Sequence, residues 1–200
     1  MFQLAACQPI TPPPHEDAPV KTLGIWRHAK SDWNDRSLRD FDRPLNKRGL
    51  KGAELMGRHI AAVPVYWDRI IASPAVRVAQ TIELGAQAAS INPQVRWDRR
   101  IYLASSATLI DLLREQEGDP ATILLCGHNP GLEDLIFDLV PDDGSSPLRD
   151  LVEVKFPTAT FALLELPIES WTDLAENGAR LLEVTRPRDL DPTLGPEPVD

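Results

Sequence analysis

The chain is poor in the residues on which several classes of protein depend. It has two cysteines, Cys7 and Cys126, in 200 residues, too few for a disulfide framework and spaced for no metal motif. Histidine is scarce, four in all. With no His-x₃-His spacing and no clustered carboxylates, neither a resident metal nor any other cofactor is expected. No run of 18 apolar residues occurs, so no transmembrane helix is expected. Positive charge is in deficit, 21 Lys+Arg against 30 Asp+Glu, for a formal net charge of −9. A surface of that sign is repelled by nucleic acid and by anionic membranes, so neither is expected as a partner. What remains, 42% hydrophobic and 26% charged residues, is an ordinary globular composition and excludes a disordered or fibrous chain.

Proline is concentrated at the two ends. Of 19 prolines, five lie in residues 1–20 and four in residues 186–200, marking irregular tails because proline cannot donate to a ladder or sit inside a helix. The expected organisation is an N-terminal tail over residues 1–20, one folded body over residues 21–190 and a C-terminal tail over residues 191–200, without internal repeats. Leu4-Ala5-Ala6-Cys7 has a faint likeness to a lipoprotein cleavage box, but no positive segment precedes it and the apolar stretch is short. The expectation is a cytoplasmic protein with reduced thiols.

Within the body, short apolar runs alternate with helical patterns. Leu23-Gly24-Ile25-Trp26, Arg69-Ile70-Ile71-Ala72, Val95–Trp97 and Ala121–Cys126 read as strands. Residues 46–63, the stretch opened by Ser73 as a cap and Pro74 in the first turn, residues 106–116 and the stretch opened by Pro130 read as amphipathic helices. Val152–Phe156, Thr160–Leu166 and Arg180–Thr185 read as three further strands. Alternating strand and helix predicts an α/β fold, a three-layer α/β/α sandwich with a mostly parallel sheet, the last strands adding antiparallel pairs at an edge.

In open α/β sheets ligands bind beyond the carboxyl ends of the strands. Arg27-His28 follows the first predicted strand, Ser73-Pro74-Ala75-Val76-Arg77 the second, and Gly127-His128 the strongest. Two of the four histidines and two arginines are thereby sent to one edge of one sheet. Arg77 falls in the first turn of a helix, where the macrodipole disfavours a cation unless an anion is bound. Residues 21–51 carry nine Lys/Arg against four Asp, a net of +5, which leaves −14 for the remainder. A cationic pocket in an acidic protein suits one phosphorylated group and not a polyanion. Arginine forks match phosphate oxygens bidentately, and a neutral histidine is a nucleophile. A lone Arg-His pair or a lone histidine is more often structural; it is the joint pattern that points to a site. His15 in the proline-rich tail and His59 on a helix are read as structural, and Trp26 and Trp33 as core or rim packing.

At these residues the chain resembles the histidine phosphatase superfamily, with its phosphoglycerate mutase-like fold. Arg27-His28-Ala29 stands where that family has Arg-His-Gly. Ser73 to Thr81 is similar to its second motif, and Gly127-His128-Asn129 to its second-histidine motif. Together with Phe41 to Gly49 and Pro187-Arg188-Asp189-Leu190, the likeness is to the SixA branch, small phosphohistidine phosphatases. The resemblance implies His28 as nucleophile, Arg27 and Arg77 as phosphate ligands and His128 as a cationic partner, with Ser31 and Asn34 as further hydrogen-bond donors to phosphate. Only 50 residues separate Arg77 from His128, too few for the lid insertion that carries the general acid in larger members, and Asp42 is the substitute the sequence offers. The implied activity is metal-independent removal of a phosphoryl group through a phosphohistidine intermediate, from a phosphohistidine-bearing signalling or phosphocarrier protein. The alternatives are a phosphatase of small phosphate esters and a non-catalytic phosphate-binding protein.

Overall fold

The computed structural model describes residues 19–195. The motif around Cys7, His15 and most of the two proline-rich tails lie outside the described residues. Strands β1 (Lys21–Arg27), β2 (Arg69–Ala72), β3 (Val95–Trp97), β4 (Thr122–Gly127), β5 (Phe161–Leu166) and β6 (Arg180–Thr185) form one sheet in the order β3-β2-β4-β1-β5-β6. The first four are mutually parallel, and β5 runs antiparallel to both β1 and β6. The sheet is thus mostly parallel, as expected.

Alternation along the strands builds two cores. Leu23, Ile25, Ile71, Ile123 and Leu125 pack with Leu112 and Leu113 of α3 (Ser106–Arg114) and Leu135 and Ile136 of α4 (Gly131–Leu139). The intervening residues Trp26, Ile70, Ala72, Leu124 and Cys126 pack on the opposite face with Ala53 and Met56 of α1 (Lys47–Ala62) and Val78 and Ile82 of α2 (Val76–Ala89). Both faces are covered, which is why the strands read as near-continuous apolar runs.

Two local expectations are corrected. Val152–Phe156 is not a strand. Residues 152–154 end α5 (Pro147–Val154), whose Ser146 side chain accepts from Arg149 N and whose first position is Pro147. Val152 and Phe156 are buried at helical i, i+4 spacing while Val154 is exposed, so a short alternation served two periods and the helix-start chemistry decided between them. Ser73 does not cap the second helix either: α2 starts at Val76, and Ala75 precedes it without a side-chain cap. At the other end, α6 (Pro187–Leu190) is followed by a 3₁₀ turn over Pro192–Leu194 in which Leu194 is buried. The chain therefore stays packed beyond the expected start of the C-terminal tail.

Helices α1 and α2 meet at two glycines. A Cβ on Gly57 would lie 2.1 Å from Gly85 Cα, so this close approach requires the absence of a side chain. Gly57→Ala is expected to destabilise the protein by roughly 1–3 kcal/mol through overpacking, read as a lowered midpoint in urea denaturation. An unchanged midpoint would show that the helices separate at no cost.

Candidate active site

Three strand ends converge at one point. Arg27 and Gly127 are partners across the parallel β1/β4 pair, and Ala72 and Cys126 across β2/β4. The residues immediately beyond are therefore neighbours: His28 N donates to Gly127 O at 3.1 Å, and Ser73 N to Cys126 O at 3.1 Å. His28 and His128 leave the sheet side by side, their ring centroids 5.1 Å apart, with Ser73 Oγ 2.8 Å from His128 Nε2.

The hydrogen bonds assign the tautomer of His28. Its Nδ1 lies 2.7 Å from the Ala29 carbonyl, and a carbonyl only accepts, so Nδ1 carries the proton. Nε2 then presents a lone pair, and Arg77 Nε–H donates to it at 3.3 Å. Thr81 ties the two residues' backbones together, donating to Arg77 O at 2.6 Å while accepting from Ala29 N at 3.0 Å. Burial pushes the His28 pKa down to about 3; the Ala29 hydrogen bond opposes, and Arg77 and Arg27 add to the depression. Burial, then His28 and Arg77, push His128 down to about 3 as well.

Burial, with His28 and Arg77 beside it, disfavours the charged form of His128, and the fixed positive charge of the pocket is that of Arg27 and Arg77. His128 Nδ1 and Arg27 Nε are buried without partners among the described residues, two unmet polar groups of the kind that cost about 1–3 kcal/mol each.

Arg77 is 4% exposed, and its fork is engaged by Asp40, NH1 to the backbone carbonyl at 2.6 Å and NH2 to Oδ2 at 2.9 Å. Tyr102 OH donates to the same Oδ2 at 2.7 Å, and the Tyr102 ring stands edge-on to His128, centroids 5.3 Å apart. Burial opposes ionisation of Asp40, but the hydrogen bonds from Tyr102 and Arg77 together with the Arg77 charge leave its pKa below the usual carboxylate value. Arg27 donates to Phe156 O at 2.5 Å. Burial lowers its pKa, Glu133 opposes, and Arg77 lowers it further.

The remaining sequence-selected residues fare differently. Ser31 is buried where it bridges to Leu45, without a hydrogen bond to the histidines or to Arg77. Asn34 is exposed, its backbone N–H closing a turn on Asp32. Asp42 pairs with Arg39 at 2.9 Å, so the carboxylate that reaches Arg77 is that of Asp40. The two acids share one 3₁₀ turn, Asp40–Asp42, where neighbouring side chains diverge, and nothing in their sequence context separates them. Tyr102 was open to the strand-end rule, since it closes the turn that follows β3. Trp26 is core, Trp33 is exposed with Arg43 stacked 4.1 Å from its ring centroid, and His59 pairs with Glu183 at 2.5 Å. Among the described residues no three His, Cys, Asp or Glu side chains are grouped as a metal ion would need.

A family model for the histidine phosphatase superfamily (branch 1) matches residues 23–100. An uncharacterized protein of Mycobacterium tuberculosis is 31% identical over 163 residues, spanning 81% of this chain and 99% of that protein. Among solved structures, the Nakamurella multipartitia protein designated phosphohistidine phosphatase SixA is 30% identical, with a TM-score of 0.71 over 84% of this chain and 96% of that one. The Agrobacterium tumefaciens protein so designated is 27% identical, with a TM-score of 0.69 over 82% and 97%. The protein histidine phosphatase SixA in complex with tungstate, 20% identical over 85% and 99%, shares the fold with a TM-score of 0.67.

The two depressed histidines make stability pH-dependent. Between about pH 6.5 and about 3 the unfolded chain binds protons at both sites while the folded site, with pKa values of about 3, does not. Their contribution to stability is therefore full above about pH 6.5 and falls as pH drops, by up to about 1.4 kcal/mol per pH unit for each group. Urea midpoints measured across this range should fall less steeply for His28→Asn than for the unmodified chain. Equal slopes would mean that His28 is not held neutral.

Proposed function

The chain belongs to the histidine phosphatase superfamily, on its SixA-type branch, and from that membership we propose that it is a phosphatase working through a phosphohistidine intermediate on His28, with a phosphohistidine-bearing protein as its substrate. The observation that carries this reading is the state of His28: neutral, protonated on Nδ1, with the Nε2 lone pair beside the Arg77 guanidinium. Nucleophile and charge compensation are in contact before a substrate arrives.

In the first step Nε2 attacks phosphorus. A bond forms from Nε2 to phosphorus as the bond from phosphorus to the leaving group breaks. Arg27 and Arg77 neutralise the transferring oxygens, and positioning with electrostatic stabilisation supplies most of the acceleration, the work a metal does in other phosphatases. The substrate's charge favours protonation of His128, which then donates to a phosphoryl oxygen. The Ala29 carbonyl stabilises the positive charge that spreads to Nδ1–H as the imidazole is phosphorylated. In the second step water attacks phosphorus as the Nε2–phosphorus bond breaks; both water protons leave on dihydrogen phosphate, and the bond pair returns to Nε2, restoring the neutral His28 tautomer.

A phosphohistidine substrate suits this site because of what the site has little of. Asp40 is held as a carboxylate and is a poor proton donor near neutral pH. A substrate imidazole whose other nitrogen carries a proton leaves as a neutral base and needs none. An alkoxide leaving group would need one.

His28→Ala is expected to reduce release of phosphate from a phosphohistidine-bearing carrier protein to background, with chelator present throughout. Arg77→Ala should lower kcat by roughly 10²–10³-fold, as removal of other oxyanion donors does. Brief exposure to labelled substrate should leave acid-labile label on the unmodified chain and none on His28→Ala. Retained turnover in the alanine variant would remove His28 from the mechanism, and faster turnover of sugar phosphates than of phosphohistidine would replace the substrate assignment.

A further inference from the structure

Beside the histidine pair, on the flank of the sheet edge where α1 and α6 meet, lies a cleft of about 250 Å³. Its charged lining is Arg27, Lys30, Arg48, Lys155, Arg186 and Arg188, and no Asp or Glu is among its lining residues. Arg186 is neutralised by Asp189 at 2.8 Å. Among the described residues none of the other five has a carboxylate within 4.0 Å, while the exposed ion pairs elsewhere on the chain take up their acids locally. In a protein of net charge −9, so many uncompensated cations converging on one concavity need a reason.

A second feature has the same sign. The first turn of α1, a helix of 16 residues, carries Lys47 and Arg48 and no acidic residue, although the macrodipole there is positive and favours anions. Arg48 lines the cleft and is held in place by a hydrogen bond to the Leu194 carbonyl. Sequence and helix electrostatics both disfavour this arrangement unless negative charge enters.

The cleft is also tied to the candidate nucleophile. Arg27, Ala29 and Lys30 line it while His28, between them, faces His128. Ala159 lines it and donates its N–H to the His28 carbonyl at 2.9 Å. The Lys30 carbonyl sits 2.1 Å from where a Cβ on Gly49 would be, so the loop carrying His28 and the start of α1 are pressed together as one wall. An anion in the cleft therefore lies next to a phosphoryl group on His28, with Arg27 between them.

We propose that this cleft docks acidic side chains of the protein substrate that flank its phosphorylated residue. The proposal rests on the phosphoprotein reading above. Charge complementarity argues for the occupant: an acidic partner is disfavoured by the net charge of −9 and attracted to this cluster of cations, which favours one orientation and raises its encounter rate. Lys30 and Lys155 are exposed, and such long side chains without a carboxylate partner adapt to carboxylates on a partner's surface.

The test uses two phosphohistidine peptides, one with aspartates and glutamates around the phosphorylated residue and one with neutral residues. The unmodified chain should turn over the acidic peptide with a kcat/KM at least about 10-fold higher, an advantage that shrinks with added salt. Lys155→Glu/Arg188→Glu should abolish that advantage and leave turnover of the neutral peptide unchanged; Lys155→Gln/Arg188→Gln should give an intermediate ratio if the reversal impairs folding. Equal turnover of both peptides by the unmodified chain, or a preference that survives charge reversal, would overturn the proposal. So would a preference for a sugar bisphosphate over the acidic peptide, which would give the cleft to a second phosphate. If no phosphohistidine is turned over at all, the phosphatase reading fails, and fluorescence anisotropy with an unphosphorylated acidic peptide decides the cleft separately. Salt-sensitive binding lost on charge reversal supports it, and no binding overturns it.

Discussion

The parallel pairing of β1 with β4 is the constraint on which the site depends. It makes Arg27 and Gly127 register partners, so the residues that follow, 100 positions apart in the chain, emerge as neighbours. Neither histidine is brought in by a long loop. Each is the first residue past a buried strand, and its backbone is fixed by the ladder's last hydrogen bonds, His28 N to Gly127 O among them. A site built this way inherits the rigidity of the sheet, the condition for donors that need no reorganisation when charge develops. The apolar runs of β1 and β4 are therefore as much a part of the site as the imidazoles.

Burial and charge act on this frame together. Both imidazoles lie at a water-poor edge between two guanidinium groups, and each of these influences favours the neutral ring. The site thus presents the Nε2 lone pair of His28, with its positive charge on groups that do not titrate near neutral pH. Asp40, Tyr102 and Ser73 set the orientation of Arg77 and His128. The Ser73 hydroxyl, taken from the sequence as a helix cap, is turned to the second histidine instead.

The convergence of four side chains was legible because strand ends follow from hydrophobic runs, and ligands gather at carboxyl ends of strands for reasons of topology. Both layers of helix were legible for the same reason. What escaped was finer than one residue of register or one turn of backbone. Asp40 and Asp42 differ only in where a 3₁₀ turn points them. Val152–Phe156 satisfies strand and helix periods equally, and the Ser146-Pro147 signal upstream breaks the tie. The charge state of His128 depends on burial and on neighbours distant in sequence, which no local pattern encodes. The basic cleft was foreshadowed by the +5 balance of residues 21–51, but Lys155, Arg186 and Arg188 join it only through the fold.

The grip of Asp40 on the Arg77 fork bears on how the proposed cycle would end. On that reading, inorganic phosphate left after hydrolysis would share the guanidinium with a carboxylate already seated beside it and braced by a tyrosine hydroxyl. The chain would then carry its own competitor for the spent anion. The resident carboxylate would loosen the pocket's hold on phosphate, trading tightness at rest for prompt egress.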